Sequence, residues 1–501
     1  MTTDVVIGKY AIESLTTGMY TDPFVMYREY IQNAADSLDD AIQYGLIQEN
    51  QATIKIRINP ARQQITIEDN GTGIPYEKAY RFLSDIGNSR KVQGEKRGFR
   101  GIGRFSGISY CERMTFSTTC CGEENSYSIS YDANKLRKLI SENSEVTTAG
   151  EALAQVLSEK KAECKDSTHY FRVTLEGVRA DTGLLDIEKV TRYLKETAPV
   201  RFSRSFSWSQ VVSETLKKEI GGVKEYKLIL ETPDGVVEIE KPYADTVLLN
   251  RQTNATDTIK EVVFAPIFNQ NQEKIGCAWY GVSSFIGTII DRDVRCMRLR
   301  VGNILVGDST SLNSVFKDTR FNGWVIGEVI INSPEFILNA RRDDFEHNDA
   351  YYVLFEQLKS IASDITKSIR TASVIRNKEQ EGTIGIAASV VTEADTLLEA
   401  ERIGTAQKDN LKAKIVAARQ QLLRPNRQED NTESRHQMIE QLDLLIGRLQ
   451  GSSSYKAINL LPHLTNSDRQ LLDRMFTKIY LQNGETEGER IVEVILKALS
   501  T

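Results

Sequence analysis

The sequence predicts an α+β protein in three parts: an N-terminal α/β sandwich over residues 1–198, an α+β middle domain over 199–350, and an all-α region over 351–501. Three observations carry this. Helical spacing and short alternating strands take turns through the first two hundred residues. A helix pattern is stopped by Pro199 and a second group of strand patterns begins beyond it. From about Ala350 the apolar spacing is almost purely helical. A length of 501 residues also suits about three domains.

The elements follow in order. Tyr27 to Tyr44 reads as a helix, with Ile31, Ala34, Ala35, Leu38 and Ile42 near helical spacing. Thr53–Ile58 alternates as TIKIRI and Gln64–Glu68 as QITIE, so two strands are expected, joined at the turn-like Asn59-Pro60. Gly71 and Gly73 interrupt the chain, and a glycine-rich basic loop runs from Gly87 to Gly107. Met114–Thr118 and Tyr170–Leu175 are further strands, with a helix near Ala133–Ser141 and another over Ile187–Glu196. Strands over Tyr226–Leu230, Val236–Ile239, Glu261–Phe264 and Val325–Ile331 furnish the middle part. Leu411, Ile415, Ala418 and Leu422 share one helical face, and Met438, Leu442, Leu445 and Leu449 repeat the spacing. The polar Pro425–Glu433 lies between, so an antiparallel helical hairpin is expected. Gly451-Ser-Ser-Ser reads as a linker to a last helical module, Ser467–Leu499.

Composition narrows the function. Forty per cent hydrophobic and 26% charged residues suit a folded chain with a sizeable core. A net charge of −6 argues against a globally basic nucleic-acid binder. The first ten residues lack a secretory pattern, and the longest uncharged stretch, Ile275–Ile290, is too short for a membrane span. Six cysteines without a CxxC pair suit a reduced, cytoplasmic protein rather than a disulfide or zinc framework.

The chemistry-bearing residues lie between Arg28 and Gly107. In REYIQNAADSLDDA, Glu29, Asn33 and Asp36 are spaced i, i+4, i+7 and share one helical face. A carboxylate there could take a proton from an attacking water, and an amide oxygen one turn on could help hold Mg²⁺. The same face would also suit a solvated polar stripe. Asp69-Asn-Gly-Thr-Gly ends a strand. Its glycines admit a ligand close to the backbone while the carboxylate accepts from an exocyclic amine, although a plain Asn-Gly turn reads alike. Gly98, Gly101 and Gly103, with Lys91, Lys96, Arg97, Arg100 and Arg104, suit phosphate. No GxxxxGK[ST] loop occurs, which excludes a P-loop ATPase, and the third glycine of a Rossmann fingerprint is missing.

In order and spacing the three motifs resemble those of the GHKL (Bergerat-fold) ATPases. That superfamily comprises the ninety-kilodalton heat-shock chaperones, gyrase B-type topoisomerases, MutL-type and MORC proteins and histidine kinases. Glu29, Asn33 and Asp36 match its N-box. Asp69, Gly71 and Gly73 match its DxGxG adenine motif, and Gly98, Gly101 and Gly103 its ATP lid. Ser167-Thr168 stands where a Gly-Thr pair is usual. YTDPFVMYREYIQNAAD and IGNSRK look most like the chaperone class, whereas RGFRGIG is closer to MORC and MutL lids. PEFILNARRDDFE is similar to the chaperone segment whose arginine reaches the γ-phosphate, which falls on Arg342, with Arg341 the alternative. A surface Arg-Arg pair bridged to Asp343 and Asp344 is the competing reading.

The resemblance implies a Bergerat sandwich, a transducer-like middle domain and a bound ATP-Mg²⁺. It implies Glu29 and Arg342 as catalytic residues and Asn33 as the magnesium ligand. Asp36, Asp69, Gly71, Gly73, Lys91, Gly98, Gly101, Gly103 and Thr168 would complete the nucleotide site. A chaperone-like ATPase is implied, whose lid and domain closure gates homodimerisation or binding of a protein client or operon partner. The alternative is a MutL- or MORC-like DNA-engaging ATP clamp of the kind that would serve prokaryotic genome defence. A histidine kinase is not expected, because none of His169, His347, His436 and His463 lies upstream of the motifs.

Overall fold

The computed structural model describes residues 7–12, 22–85, 103–141, 148–165, 168–339, 343–398, 402–423, 432–455 and 465–499. The chain divides into two compact units, residues 1–367 and 368–501.

The first unit opens with helix α1, Val25–Gln43, followed by strands β1, Thr53–Asn59, and β2, Gln64–Asp69. Pro60 begins a short 3-10 turn between them, and Gln63 closes it in the left-handed region at φ 49. Next come α2, Tyr76–Ser84, β3, Arg113–Thr119, β4, Asn125–Asp132, and α3, Ala133–Ser141. Helix α4, Ala149–Val156, runs straight into β5, Leu157–Glu163, and β6, Tyr170–Glu176, precedes α5, Ile187–Thr197. Helix α6, Ser209–Ile220, leads to β7, Lys227–Thr232, and β8, Gly235–Ile239.

Eight of these strands form one sheet in the order β5-β4-β3-β6-β2-β1-β7-β8. Neighbours are antiparallel except β1 and β7, which run parallel with Thr53 opposite Lys227. The sheet thus draws two strands from beyond residue 198. Alternation assigns its faces. Ile54, Ile56, Ile58, Ile65 and Ile67 are buried in one core with Tyr27, Ile31, Ala35 and Leu38 of α1. Burying each such isoleucine contributes about 1.5–3 kcal/mol. On the opposite face the intervening residues form a charged ladder across four strands. Arg57 reaches Glu231 at 2.6 Å and Glu68 at 3.2 Å, and Arg172 reaches Glu68 at 2.6 Å.

A second sheet follows. Strands β9, Thr246–Asn250, and β10, Ala255–Thr258, form a ribbon. Strands β11, Glu261–Phe268, β12, Lys274–Val282, β13, Cys296–Val301, β14, Ile304–Val306, and β15, Ile326–Ile331, pair in the order β11-β12-β15-β13-β14. Trp279 is fully buried, with the rings of Phe202, Phe206 and Tyr243 at 5.8, 5.7 and 5.2 Å. Beside this aromatic core lies a buried ionic cluster that the sequence reading did not foresee. Glu328 accepts from Lys241 at 2.8 Å, Arg300 at 2.5 Å and the Tyr243 hydroxyl at 3.2 Å. Burial alone would push the Glu328 carboxyl up, but the Arg300 and Lys241 cations overcome it and hold it at about 2.

Helix α7, Asp349–Leu398, begins in the first unit and ends in the second. The second unit continues with β16, Arg402–Gly404, α8, Thr405–Leu423, α9, Thr432–Gly451, β17, Ser453–Tyr455, and α10, Asn466–Leu499. Helices α8 and α9 are antiparallel, as the 2.6 Å bonds from Arg419 to Asp443 and from Arg435 to the Leu422 carbonyl fix. Ala387, Val390 and Ala394 of α7 share their core with Leu411, Ile415, Leu442 and Leu445. Two details differ from expectation. The Gly-Ser segment is not all linker, because Ser453–Tyr455 pairs in parallel with Arg402–Gly404. The last helix is broken at Gly484, whose φ of 72 lies outside helical space. Among the described residues no helix is long and apolar enough to cross a membrane.

Candidate active site

Helix α1 organises the site. Its apolar face enters the sandwich core while Glu29, Asn33, Asp36 and Ser37 follow one another along a different side. Glu29 is fully buried, Asp36 is buried and Asn33 is half-buried, so the polar triad is not a solvated stripe. Near the start of the helix, Glu29 Oε2 lies against Gly103, and a methyl group at 103 would overlap the carboxylate oxygen. Two turns on, Ser37 lies against Gly71, where a Cβ would also fall 2.7 Å from Asp69 Oδ1. One helix therefore touches the glycine-rich segment at one end and the DxGxG turn at the other. At 1.5 Å per residue, Glu29 and Ser37 are about 12 Å apart along the axis, the scale of an extended nucleoside triphosphate.

The DxGxG turn is held from several sides. Asp69, the last residue of β2, is buried, and its Oδ1 accepts from the Gly71 N–H at 2.9 Å. The Thr72 N–H donates to Ser37 Oγ at 3.1 Å, and the Ile74 N–H to Thr118 Oγ1 at 2.8 Å. Thr118 passes its own hydroxyl proton to the Tyr170 carbonyl at 3.0 Å. The His169 ring meets the Gly71 carbonyl at 2.7 Å. Gly73 sits at φ 66 with its α-carbon pressed against the Thr119 carbonyl, a place only glycine fills without strain.

The end of the glycine-rich segment is fixed as well. Gly103–Phe105 is a 3-10 turn, and the Gly107 N–H donates to the Tyr30 hydroxyl at 3.0 Å. Tyr30 is buried, which pushes its phenol well up and keeps it protonated. Arg104, counted in the sequence among the phosphate-facing cations, instead donates to the Phe82 carbonyl and lies 4.5 Å over the Phe82 ring. Burial pulls its guanidinium down to about 10. Thr168 is half-buried and its N–H reaches the Lys165 carbonyl at 2.9 Å, while the neighbouring His169 makes the contact with the DxGxG turn. Lys91, Gly98, Gly101, Arg341 and Arg342 lie outside the described residues. Next to that last gap, the Asp343 carboxylate accepts from Asn339 Nδ2 at 2.6 Å.

Sequence reasoning missed Tyr30, Ser37, Thr118 and His169 as supports of these turns. Ser37 was within reach, being four residues beyond Asn33 on the face already singled out. Thr118 belongs to a distant strand, and nothing in its local pattern marks it.

The space a Cβ would take at Gly71 and Gly103 is held by Ser37, Asp69 and Glu29, so glycine at both places lets the polar side of α1 pack against the two segments that ATP-Mg²⁺ would need. The oxygens of Asn33 and Glu29 are hard donors, and no cluster of three His, Cys, Asp or Glu able to hold a metal occurs among the described residues. Mg²⁺ takes oxygen ligands, which is the donor type that the Asn33 amide and the Glu29 carboxylate offer. The residues fit.

Comparison with known proteins agrees. Residues 23–163 match the family model described as histidine kinase-, DNA gyrase B- and HSP90-like ATPase. Among curated proteins, the chaperone protein HtpG of Legionella pneumophila (strain Lens) is 30% identical over 132 residues, covering 23% of this chain and 21% of the relative. HtpG of Polaromonas naphthalenivorans is 27% identical over 129 residues, 22% and 20% of the two chains. HtpG of Buchnera aphidicola subsp. Baizongia pistaciae is 25% identical over 156 residues, 26% and 25%. The chain thus spans about a fifth to a quarter of the length of the curated relatives it matches. Over residues 23–163, which hold the first helix, the DxGxG turn and part of the eight-stranded sheet, the chain is thus similar to the histidine kinase-, DNA gyrase B- and HSP90-like ATPases.

Proposed function

We propose that this chain binds ATP-Mg²⁺ and hydrolyses it as a chaperone-like conformational ATPase. The observation that carries the reading is that α1 lies against Gly103 through Glu29 and against Gly71 through Ser37, so one helix spans both ends of a nucleotide. In this reading the purine amine donates to Asp69, and the turn at Gly71 and Gly73 seats the base. The phosphates lie at Gly98, Gly101 and Gly103 with Lys91 beside them, Asp36 and Thr168 complete the wall, and Asn33 offers the metal an oxygen. Mg²⁺, when bound, would neutralise charge on the phosphates. Glu29 accepts a proton from the attacking water as its oxygen bonds to the γ-phosphorus, and the bond to the β-γ bridging oxygen breaks, giving ADP and phosphate. Arg342, from the 199–350 domain, would stabilise charge on the γ-phosphoryl group and so tie hydrolysis to closure.

A polar chain supports coupling between the sandwich and the second sheet. Asp39, on the same helix as Glu29, accepts from the Tyr226 hydroxyl at 2.5 Å and from Lys224 at 3.0 Å. The Lys224 carbonyl accepts from Asn303 Nδ2 at 3.2 Å, and the Asn303 carbonyl from Arg300 at 3.0 Å. Lid closure that gates homodimerisation, with a protein client or operon partner beyond residue 350, completes the proposal, in a cytoplasmic setting.

Phosphate release and ATP binding test it together. The Glu29→Ala protein is expected to bind ATP-Mg²⁺ yet turn over about 10²–10⁴-fold more slowly. Wild-type turnover in that variant would refute Glu29 as the base. The mass of Glu29→Ala with and without ATP-Mg²⁺ tests the clamp: a nucleotide-triggered doubling supports it, and an unchanged mass argues against it.

A further inference from the structure

We infer that His169 is a positioning residue for the adenine-binding turn, holding the Gly71 carbonyl so that the N–H on the other side of the same residue stays on Asp69. The inference rests on the nucleotide reading above and assigns a role that the motifs do not contain.

Three features of the turn lead to it. Gly71 is buried, and both polar groups of the residue are engaged: its N–H donates to Asp69 Oδ1 at 2.9 Å, and its carbonyl meets His169 Nδ1 at 2.7 Å. A carbonyl only accepts, so the ring nitrogen facing it carries the proton, and in the neutral imidazole the acceptor is Nε2. Ser37 takes the N–H side of the Gly71–Thr72 peptide and His169 its carbonyl side, while Thr118 acts further along the turn on the Ile74 N–H. His169 is in turn fixed in place, because it directly precedes Tyr170, the first residue of β6, whose carbonyl Thr118 holds at 3.0 Å. The ring thus links the start of β6 to Gly71, the residue whose N–H meets the Asp69 carboxylate. The Glu29 end is set by α1 and Gly103, away from this contact.

The chemistry sets a discriminating pair of substitutions. In asparagine, Nδ2 hangs from Cγ as Nδ1 does in histidine, so His169→Asn keeps a donor near the carbonyl. His169→Leu keeps bulk and loses the donor, leaving a buried carbonyl unsatisfied. The expected result is a KM and Kd for ATP-Mg²⁺ raised about 5- to 30-fold in His169→Leu, with kcat nearly unchanged, and recovery to within about threefold of wild type in His169→Asn. In wild-type protein labelled with ¹⁵N-histidine, the His169 ring is expected to show the Nδ1–H form. Wild-type affinity in His169→Leu overturns the inference while leaving the nucleotide reading intact, as does a His169→Asn protein as weak as His169→Leu. An Nε2–H ring in the wild-type protein overturns it even if His169→Leu fails to fold. Failure of the wild-type protein to bind ATP-Mg²⁺ overturns the nucleotide reading and this inference with it.

Discussion

Asp69 and Glu328 are both buried carboxylates in the same unit, and their surroundings are opposite. Glu328 is fully buried and enclosed by two cations and a phenol, and the ring of that phenol, Tyr243, packs on Trp279. Asp69 meets the N–H of a glycine peptide, in a turn where an added methyl group would collide with Ser37 or the carboxylate itself. The first arrangement is saturated and gives a ligand nothing to bind. The second packs a narrow glycine backbone directly against the carboxylate and Ser37. Burial of a charge therefore does not mark a functional site; the size and chemistry of what surrounds it does.

The comparison can be broken most easily at Glu328. Glu328→Gln leaves Lys241 and Arg300 buried without their carboxylate, and a loss of about 3–5 kcal/mol is expected in urea unfolding. A loss below 1 kcal/mol would show that the cluster is not structural. Asp69→Asn should do the reverse. ATP affinity falls about 10- to 100-fold, read by calorimetry, while the unfolding midpoint hardly moves.

Acid should separate the two as well. The Glu328 carboxyl titrates at about 2 in the folded chain against 4.5 for the free group, so between those values the unfolded chain binds more protons. Its contribution is present in full above pH 4.5 and is lost as the pH falls towards 2. Urea midpoints measured across that window should fall more steeply for wild type than for Glu328→Gln. The smallest effect is expected on the exposed face of the first sheet. Arg57→Ala removes a part-exposed ion pair to both Glu68 and Glu231, and should cost no more than about 1 kcal/mol, less at high salt.

Much of the sandwich was legible because its periodicities are strong. The helix at 25–43, the hairpin of β1 and β2, and α3 stand close to where apolar spacing put them. Strand β5 was not legible: LSEKKAE is almost wholly exposed at a sheet edge, so no core imposes an alternation on it. The ionic cluster was hidden for a different reason. Lys241, Arg300 and Glu328 are separated by 28 to 87 residues and look like ordinary strand charges until the sheet brings them together. In the candidate site, the grouping of Glu29, Asp69, Gly71 and Gly103 about one helix could be anticipated because the spacing within each motif is local. Thr118 and His169 were not, since their partners lie 44 and 98 residues away.

The parallel pairing of β1 with β7 has a practical consequence for anyone preparing the nucleotide-binding part alone. A fragment ended at residue 198 would strip away Lys227–Thr232 and leave Thr53–Arg57 as a raw flank of unsatisfied amides, apt to recruit other chains. Extending the cut past Ile239 retains both closing strands, and comparing the solubility of the two fragments would show how much that seam protects.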